Sequence, residues 1–230
     1  MKKLAFNALI IFVLFALTLT LTLLLGYNYG EVSRFSPKKI TVVIDAGHGG
    51  IDVGASGVLT SVRESDLNLI ISKKLQEKFA VSGIKTVMTR TDDNGLYGTT
   101  DPGFKMRDLK KRVEIINGCN ASVFISIHLN TYTSPKRRGA QTFYNGNSES
   151  AKKLATFIQN GLNVAYKMPR MCSALKGDYY LLNESKCPSV IVECGFLSSP
   201  EDERLLLTEE YREGVANAIF EGTLKYLTQN

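Results

Sequence analysis

Residues 40–50 read Ile-Thr-Val-Val-Ile-Asp-Ala-Gly-His-Gly-Gly, an apolar, β-branched run that breaks into a glycine-rich loop. Continuous apolarity, without alternation, predicts a strand buried on both faces. The loop after it extends to about Thr60. From Glu64 to Phe79 the spacing turns helical, with Leu67, Ile70, Ile71, Leu75 and Phe79 on one face. Gly83 punctuates, and Ile84–Met88 predicts a second strand. Met106, Leu109, Val113 and Ile116 mark a second helix that ends at Gly118. Strands are expected at Ser122–Ile127, Gly139–Tyr144 and Ser189–Val192, and a short one at Tyr179–Leu182. Helices are expected at Ala151–Leu162 and Glu209–Leu227. This alternation predicts an α/β fold: a mostly parallel twisted sheet flanked by helices, of the phosphorylase/hydrolase-like class.

Toward the N-terminus, Leu4–Leu25 holds 22 residues without a charge. That length spans a hydrocarbon core as a helix. Lys2 and Lys3 precede it, so the positive-inside tendency places the N-terminus in the cytoplasm and the remainder outside. No clear small-residue cleavage site follows Leu25, which favours an uncleaved transmembrane anchor over a cleaved signal. The expected organisation is an anchor or signal segment at 1–25, a polar linker at 26–38 and a catalytic domain at 39–230.

The net charge of +6 suits an anionic partner, such as cell wall, membrane or nucleic acid, and equally suits solubility alone. One basic run, Lys136-Arg137-Arg138, without interleaved aromatic residues, argues against a nucleic-acid partner. The four cysteines, Cys119, Cys172, Cys187 and Cys194, form no C-x-x-C pair, so a four-sulfur zinc site is not expected. Free thiols, several of them buried, are the expectation.

The chain has only two histidines, His48 and His128, each expected at or just beyond the end of a strand. Glu193 stands at the end of a third strand, and Glu64 opens the first helix. Sites in open α/β sheets gather at the carboxyl ends of strands, so these four groups are expected to converge. Singly, each has an ordinary reading. A histidine after a strand is usually a hydrogen-bonded loop residue, and a glutamate at a helix N-terminus usually pairs with the helix dipole. Glu193 is harder to explain so, because a carboxylate on an apolar strand is costly to bury without a partner. Catalytic zinc commonly takes three His or carboxylate ligands and leaves one position open. His48, Glu64 and His128 supply that set, and Glu193 is then free to serve as general base.

Val43–Gly50, Arg63-Glu64, Phe124–Asn130 and Val192–Pro200 resemble, in order, the motifs of the zinc-dependent N-acetylmuramoyl-L-alanine amidases of the Amidase_3 type. The similarity covers roughly residues 40–228, and the spore-cortex members are the most alike. Ala46 stands where many members have Pro, and Ser199 replaces a frequent Asn. The segment after His128 is too short for the autoinhibitory helix of some relatives. The resemblance implies a Zn2+ cofactor on His48, Glu64 and His128, with Glu193 catalytic. It implies peptidoglycan as substrate, cut between N-acetylmuramic acid and L-alanine, in cortex maturation or germination. A zinc peptidase acting on stem peptides and a non-catalytic wall-binding protein are the alternatives. Three protein ligands, one of them a glutamate on a glycine-rich loop, suggest a modest hold on zinc and a partner protein that orders that loop and tightens the metal. Asn130, Arg107 and Arg112 are weaker candidates for substrate contact. The two arginines are expected to lie on a solvated helix surface.

Overall fold

The structure, a computed structural model, describes residues 13–22, 40–166 and 171–229. Residues 13–22 form a helix, α1. Its Thr18, Thr20 and Thr22 hydroxyls donate to the carbonyls of Phe15, Ala16 and Thr18 at 2.9, 3.0 and 3.0 Å. Hydroxyls spent in this way suit a helix in apolar surroundings. Among the described residues no helix is long and apolar enough to cross a membrane. The rest of the expected span at 4–25, and the expected linker at 26–38, lie outside the described residues.

From Ile40 onward the chain builds one six-stranded sheet. Its strands are β1 (Thr41–Ala46), β2 (Lys85–Met88), β3 (Val123–Asn130), β4 (Gln141–Tyr144), β5 (Leu175–Lys176) and β6 (Ser189–Phe196). They lie in the order β2-β1-β3-β6-β4-β5. The four strands β2, β1, β3 and β6 are parallel, whereas β4 runs antiparallel to β6. The helices are α2 (Glu64–Val81), α3 (Phe104–Gly118), α4 (Glu149–Ala165), α5 (Tyr180–Glu184), α6 (Pro200–Leu206) and α7 (Glu209–Thr228).

Successive side chains on a strand point to opposite faces, and the two faces of this sheet are covered unequally. Val42, Ile44, Ile125, Ile127, Val190 and Val192 pack with α2, α4 and α7 in the larger core. Val43 and Phe124 face the other way and meet Ile116 of α3 and Leu181 of α5 in a small second cluster. That thinner side also receives the polar members of the same alternation: Asp45 on β1, Ser126 and His128 on β3, Ser189 and Glu193 on β6.

Asp45 is fully buried. Its carboxylate accepts from Thr89 and Ser126 hydroxyls at 2.6 Å each and pairs with Arg112, which is only 2% exposed. Burial raises the Asp45 pKa, but Arg112 and the two hydroxyls outweigh it and hold the carboxyl below its ordinary 3.8. Arg112 was expected on a solvated surface; it instead lies under the loop after β1, because its partner Asp45 is on the sheet's inner row.

Two other expectations are corrected. Tyr179–Leu182, read as a short strand, leads into helix α5, where Asn183 and Ser185 amides bond the carbonyls of Tyr179 and Leu181 at 3.0 and 3.2 Å. Four apolar residues fit one helical turn as well as one short strand. Strands β3 and β6 run on to Asn130 and Phe196, so His128 and Glu193 lie within strands and not after them. Helix α6 was not expected, although its start signals are present: Ser199 caps it, Pro200 follows, and three acids fill the first turn.

Replacing Asp45 with Asn would leave the buried Arg112 with Asp108 as its remaining carboxylate partner among the described residues. The expected loss is about 1–3 kcal/mol of unfolding free energy at neutral pH, the cost of leaving a buried group under-satisfied. In the native protein the contribution is complete above the ordinary carboxylate pKa and is lost as pH falls below it. Denaturant unfolding of Asp45→Asn beside the native chain at pH 7 and pH 3 checks both points; equal stability at pH 7 would refute the first.

Candidate active site

His48 stands on the loop after β1 with φ at 61°, a left-handed conformation that few side chains adopt. The loop is held there through its carbonyls. Arg90 donates to Ala46 O and Gly47 O at 2.8 and 3.0 Å, and Arg112 donates to Ala46 O and His48 O at 2.9 and 2.7 Å. Gly47 is required by contact: a Cβ there would lie 2.3 Å from the His128 ring.

The loop brings His48 against the strand pair. His128 and Glu193 are Cα partners across β3 and β6. The Glu64 Oε1 atom lies 3.2 Å from His48 Nε2 and 3.0 Å from His128 Nδ1. These ligand-type atoms all fall within 4.8 Å of one another. Backbone amides hold the carboxylate in place: Leu129 N donates to Oε1 at 3.0 Å and Ala55 N to Oε2 at 2.8 Å. Asp52, unremarked in the sequence, accepts from His48 Nδ1 at 2.9 Å and so directs Nε2 toward Glu64. The i, i+4 spacing of His48 and Asp52 was the available signal, but on a loop such spacing specifies no contact.

The charges of the cluster suit a cation held among them. Burial lowers the His48 pKa, yet the hydrogen bonds it donates to Asp52 and Glu64 raise it to about 9. Burial raises Glu64, and the two imidazoles more than reverse this, leaving it well below the usual carboxylate range. Asp52 is lowered to about 2, first by its bond to His48, with burial opposing. The proton that His48 keeps occupies the place of positive charge between acids, and a divalent ion supplies the same charge more fully. The donor set of two imidazoles and one carboxylate fits a zinc-type ion.

Glu193 differs. It is 7% exposed, and its Oε2 has no hydrogen-bond partner among the described residues. Burial pushes its pKa up to about 7, with smaller opposing contributions from His128 and His48 and a further rise from Glu64. It lines the same open cleft as His48, Glu64, His128, Asp52 and Asn130. A carboxylate poised near neutral pH beside a metal-type cluster is suited to accept a proton and return it.

Of the weaker candidates, Asn130 lines this cleft, while its Oδ1 accepts from Thr131 N at 2.8 Å. Arg107 is occupied by carbonyls of the loop before α3, including Tyr97 O at 3.2 Å and Thr99 O at 2.8 Å. Arg112 holds the His48 loop from below.

Comparison with known proteins gives the family. Residues 42–225 match the family model described as N-acetylmuramoyl-L-alanine amidase. The chain belongs to that family. It is an enzyme, a peptidoglycan amidase. It is 33% identical over 218 residues to the germination-specific N-acetylmuramoyl-L-alanine amidase of Bacillus subtilis, covering 91% of each chain. Among solved structures, it resembles the CwlD amidase of Clostridioides difficile, determined in complex with the GerS lipoprotein: 41% identity, TM-score 0.80, 83% of this chain and 100% of that one. The catalytic domain of CwlV from Bacillus (Paenibacillus) polymyxa var. colistinus matches at 30% identity and TM-score 0.73, over 83% and 99% of the two chains.

Two outcomes follow for the amidase. In metal-free protein, Glu193 should titrate with a midpoint near 7, and loading a divalent metal should lower it, since nearby positive charge favours the carboxylate. Carboxyl 13C NMR reads both; a midpoint that rises with metal would contradict the placement. Asp52→Ala should weaken metal affinity about 10–100-fold by freeing the His48 ring. Competition against a coloured chelator measures it, and unchanged affinity would remove Asp52 from this role.

Proposed function

We propose that the amidase is a zinc enzyme that hydrolyses the amide between the lactyl group of N-acetylmuramic acid and L-alanine, in spore-cortex peptidoglycan. The observation that carries this reading is the meeting of His48 Nε2, Glu64 Oε1 and His128 Nδ1 beside the unpartnered oxygen of Glu193. His48, Glu64 and His128 would hold the ion. When bound, zinc supplies Lewis acidity that polarises the amide carbonyl and acidifies water.

The remaining steps belong to the chain. Asp52 keeps the His48 ring oriented, and the amides of Ala55 and Leu129 hold the Glu64 carboxylate in place. Glu193 takes a proton from the attacking water and gives it to the departing alanyl nitrogen, which turns a poor leaving group into a neutral amine. Its lifted pKa suits both transfers. Glu193 does not bind the metal in this scheme.

The proposal extends to the setting. Residues 1–25 act as an N-terminal membrane anchor, 26–38 as linker and 39–230 as the catalytic domain, held in the cell envelope or forespore intermembrane space. The apolar segment 4–25, led by Lys2 and Lys3, supports this. The cortex role and an activating partner protein are supported by similarity to the germination-specific enzyme and to an amidase solved with a lipoprotein. Nucleic acid has no part in the scheme.

Glu193→Gln should keep its zinc and lose at least about 100-fold in peptide release from peptidoglycan, the lower range for loss of a general acid–base. Metal analysis beside mass spectrometry of the products decides it. Undiminished release rejects Glu193 as the base. Products with shortened peptides, in place of intact stems and free lactyl ends, would convert the enzyme to a peptidase.

A further inference from the structure

Glu193 and His128 border two cavities. One is the polar cleft of about 470 Å³ that also holds His48, Glu64, Asp52, Lys105, Asn130 and Thr131. The other, of about 170 Å³, is walled by Leu109, Tyr179, Tyr180, Leu181 and Ile191. It lies on the thinly covered side of the sheet. Ile191 shares a strand face with Glu193, two residues away, and faces Phe143 across β4. Tyr179 packs edge-on against Phe143, with ring centroids 5.5 Å apart. Gly177 permits this, since a Cβ there would stand 2.4 Å from the Tyr179 ring. The wall is therefore built, not a gap between loosely placed side chains.

The two cavities divide the substrate by chemistry and size. All three metal-type ligands line the polar cleft, so the carbonyl to be attacked belongs there, and the bulky hydroxyl-rich hexosamine attached to it fits the larger space. The smaller cavity touches Glu193 but neither His48 nor Glu64. Glu193 hands its proton to the amine, so the group beyond the nitrogen lies on the far side of Glu193. We propose that the Leu109–Tyr179–Tyr180–Ile191 pocket receives the first residue of the stem peptide, seats the alanyl methyl, and sets the enzyme's preference at that position. This rests on the amidase reading above and adds the specificity determinant to it. Tyr179 and Leu109 are positioning residues here, with no part in the bond change.

The experiment uses the zinc-loaded full chain and three soluble substrates, N-acetylmuramoyl peptides beginning with Gly, L-Ala or L-Leu. The native enzyme should favour L-Ala over Gly by about 10–200-fold in kcat/KM, the worth of one methyl in an apolar pocket. Leu109→Phe fills the pocket from the helix surface and should reduce the Ala-to-Gly ratio at least tenfold. Tyr179→Ala widens it and should raise the Leu-to-Ala ratio at least tenfold. Zinc content and thermal midpoint accompany each variant, and a variant that loses either is replaced by Leu109→Met or Tyr179→Leu. Calorimetric affinities of Glu193→Gln, alone and with each pocket change, give the same ratios without turnover. Ratios within twofold of native in folded, zinc-loaded variants overturn the pocket assignment. Absence of hydrolysis of all three substrates by the native enzyme overturns the amidase reading instead, and the binding ratios then still decide the pocket.

Discussion

Two buried guanidinium groups carry the architecture of this site. The loop after β1 leaves the sheet ladder, so the carbonyls of Ala46, Gly47 and His48 lose strand partners in a place where water does not replace them. Arg90 and Arg112 accept that duty, Arg90 also reaching Ser65 O at 2.8 Å on α2. Asp45, two residues before the loop begins, and Asp108 on α3 neutralise Arg112. The left-handed turn at His48, the tight pass of Gly47 over His128, and the entry into α2 at Glu64 all depend on this clasp.

Further support comes from the far end of the loop. Glu203 on α6 is fully buried and accepts from Leu59 N and Thr60 N at 2.7 and 2.9 Å. Gly57 leaves room for it, since a Cβ there would lie 2.3 Å from its Oε1. Asp202, beside it, accepts from Gly139 N and Phe196 N at 2.9 and 3.0 Å, tying the end of β6 to the approach to β4. The metal-type cluster is thus held from both ends of one loop by buried charges that are themselves satisfied. Such preorganisation keeps ligand atoms at fixed spacing without relying on the ion.

The unequal covering of the sheet explains where chemistry is possible. The side packed by α2, α4 and α7 is apolar throughout its centre and leaves no room for a substrate. The side met by α3 and α5 among the described residues keeps the inward row of Asp45, Ser126, His128 and Glu193 close to solvent at its upper end. Strand alternation therefore turns every second residue of otherwise apolar strands into either foundation or function.

Much of this was legible in the chain itself. Apolar β-branched runs fixed β1, β3 and β6, and helical spacing fixed α2, α3, α4 and α7, because burial on a sheet or helix face leaves a period that local sequence records. The rarity of histidine singled out His48 and His128, and a lone acid in an apolar strand singled out Glu193. The sequence could not show that Arg112 is buried, that Asp52 orients a ring, that Tyr179–Leu182 turn as a helix, or that Leu109 and Ile191 wall one pocket. Those facts depend on which strands become neighbours and which side of the sheet is left thin. Periodicity reports how a segment meets its surroundings; only the folded chain decides what those surroundings are.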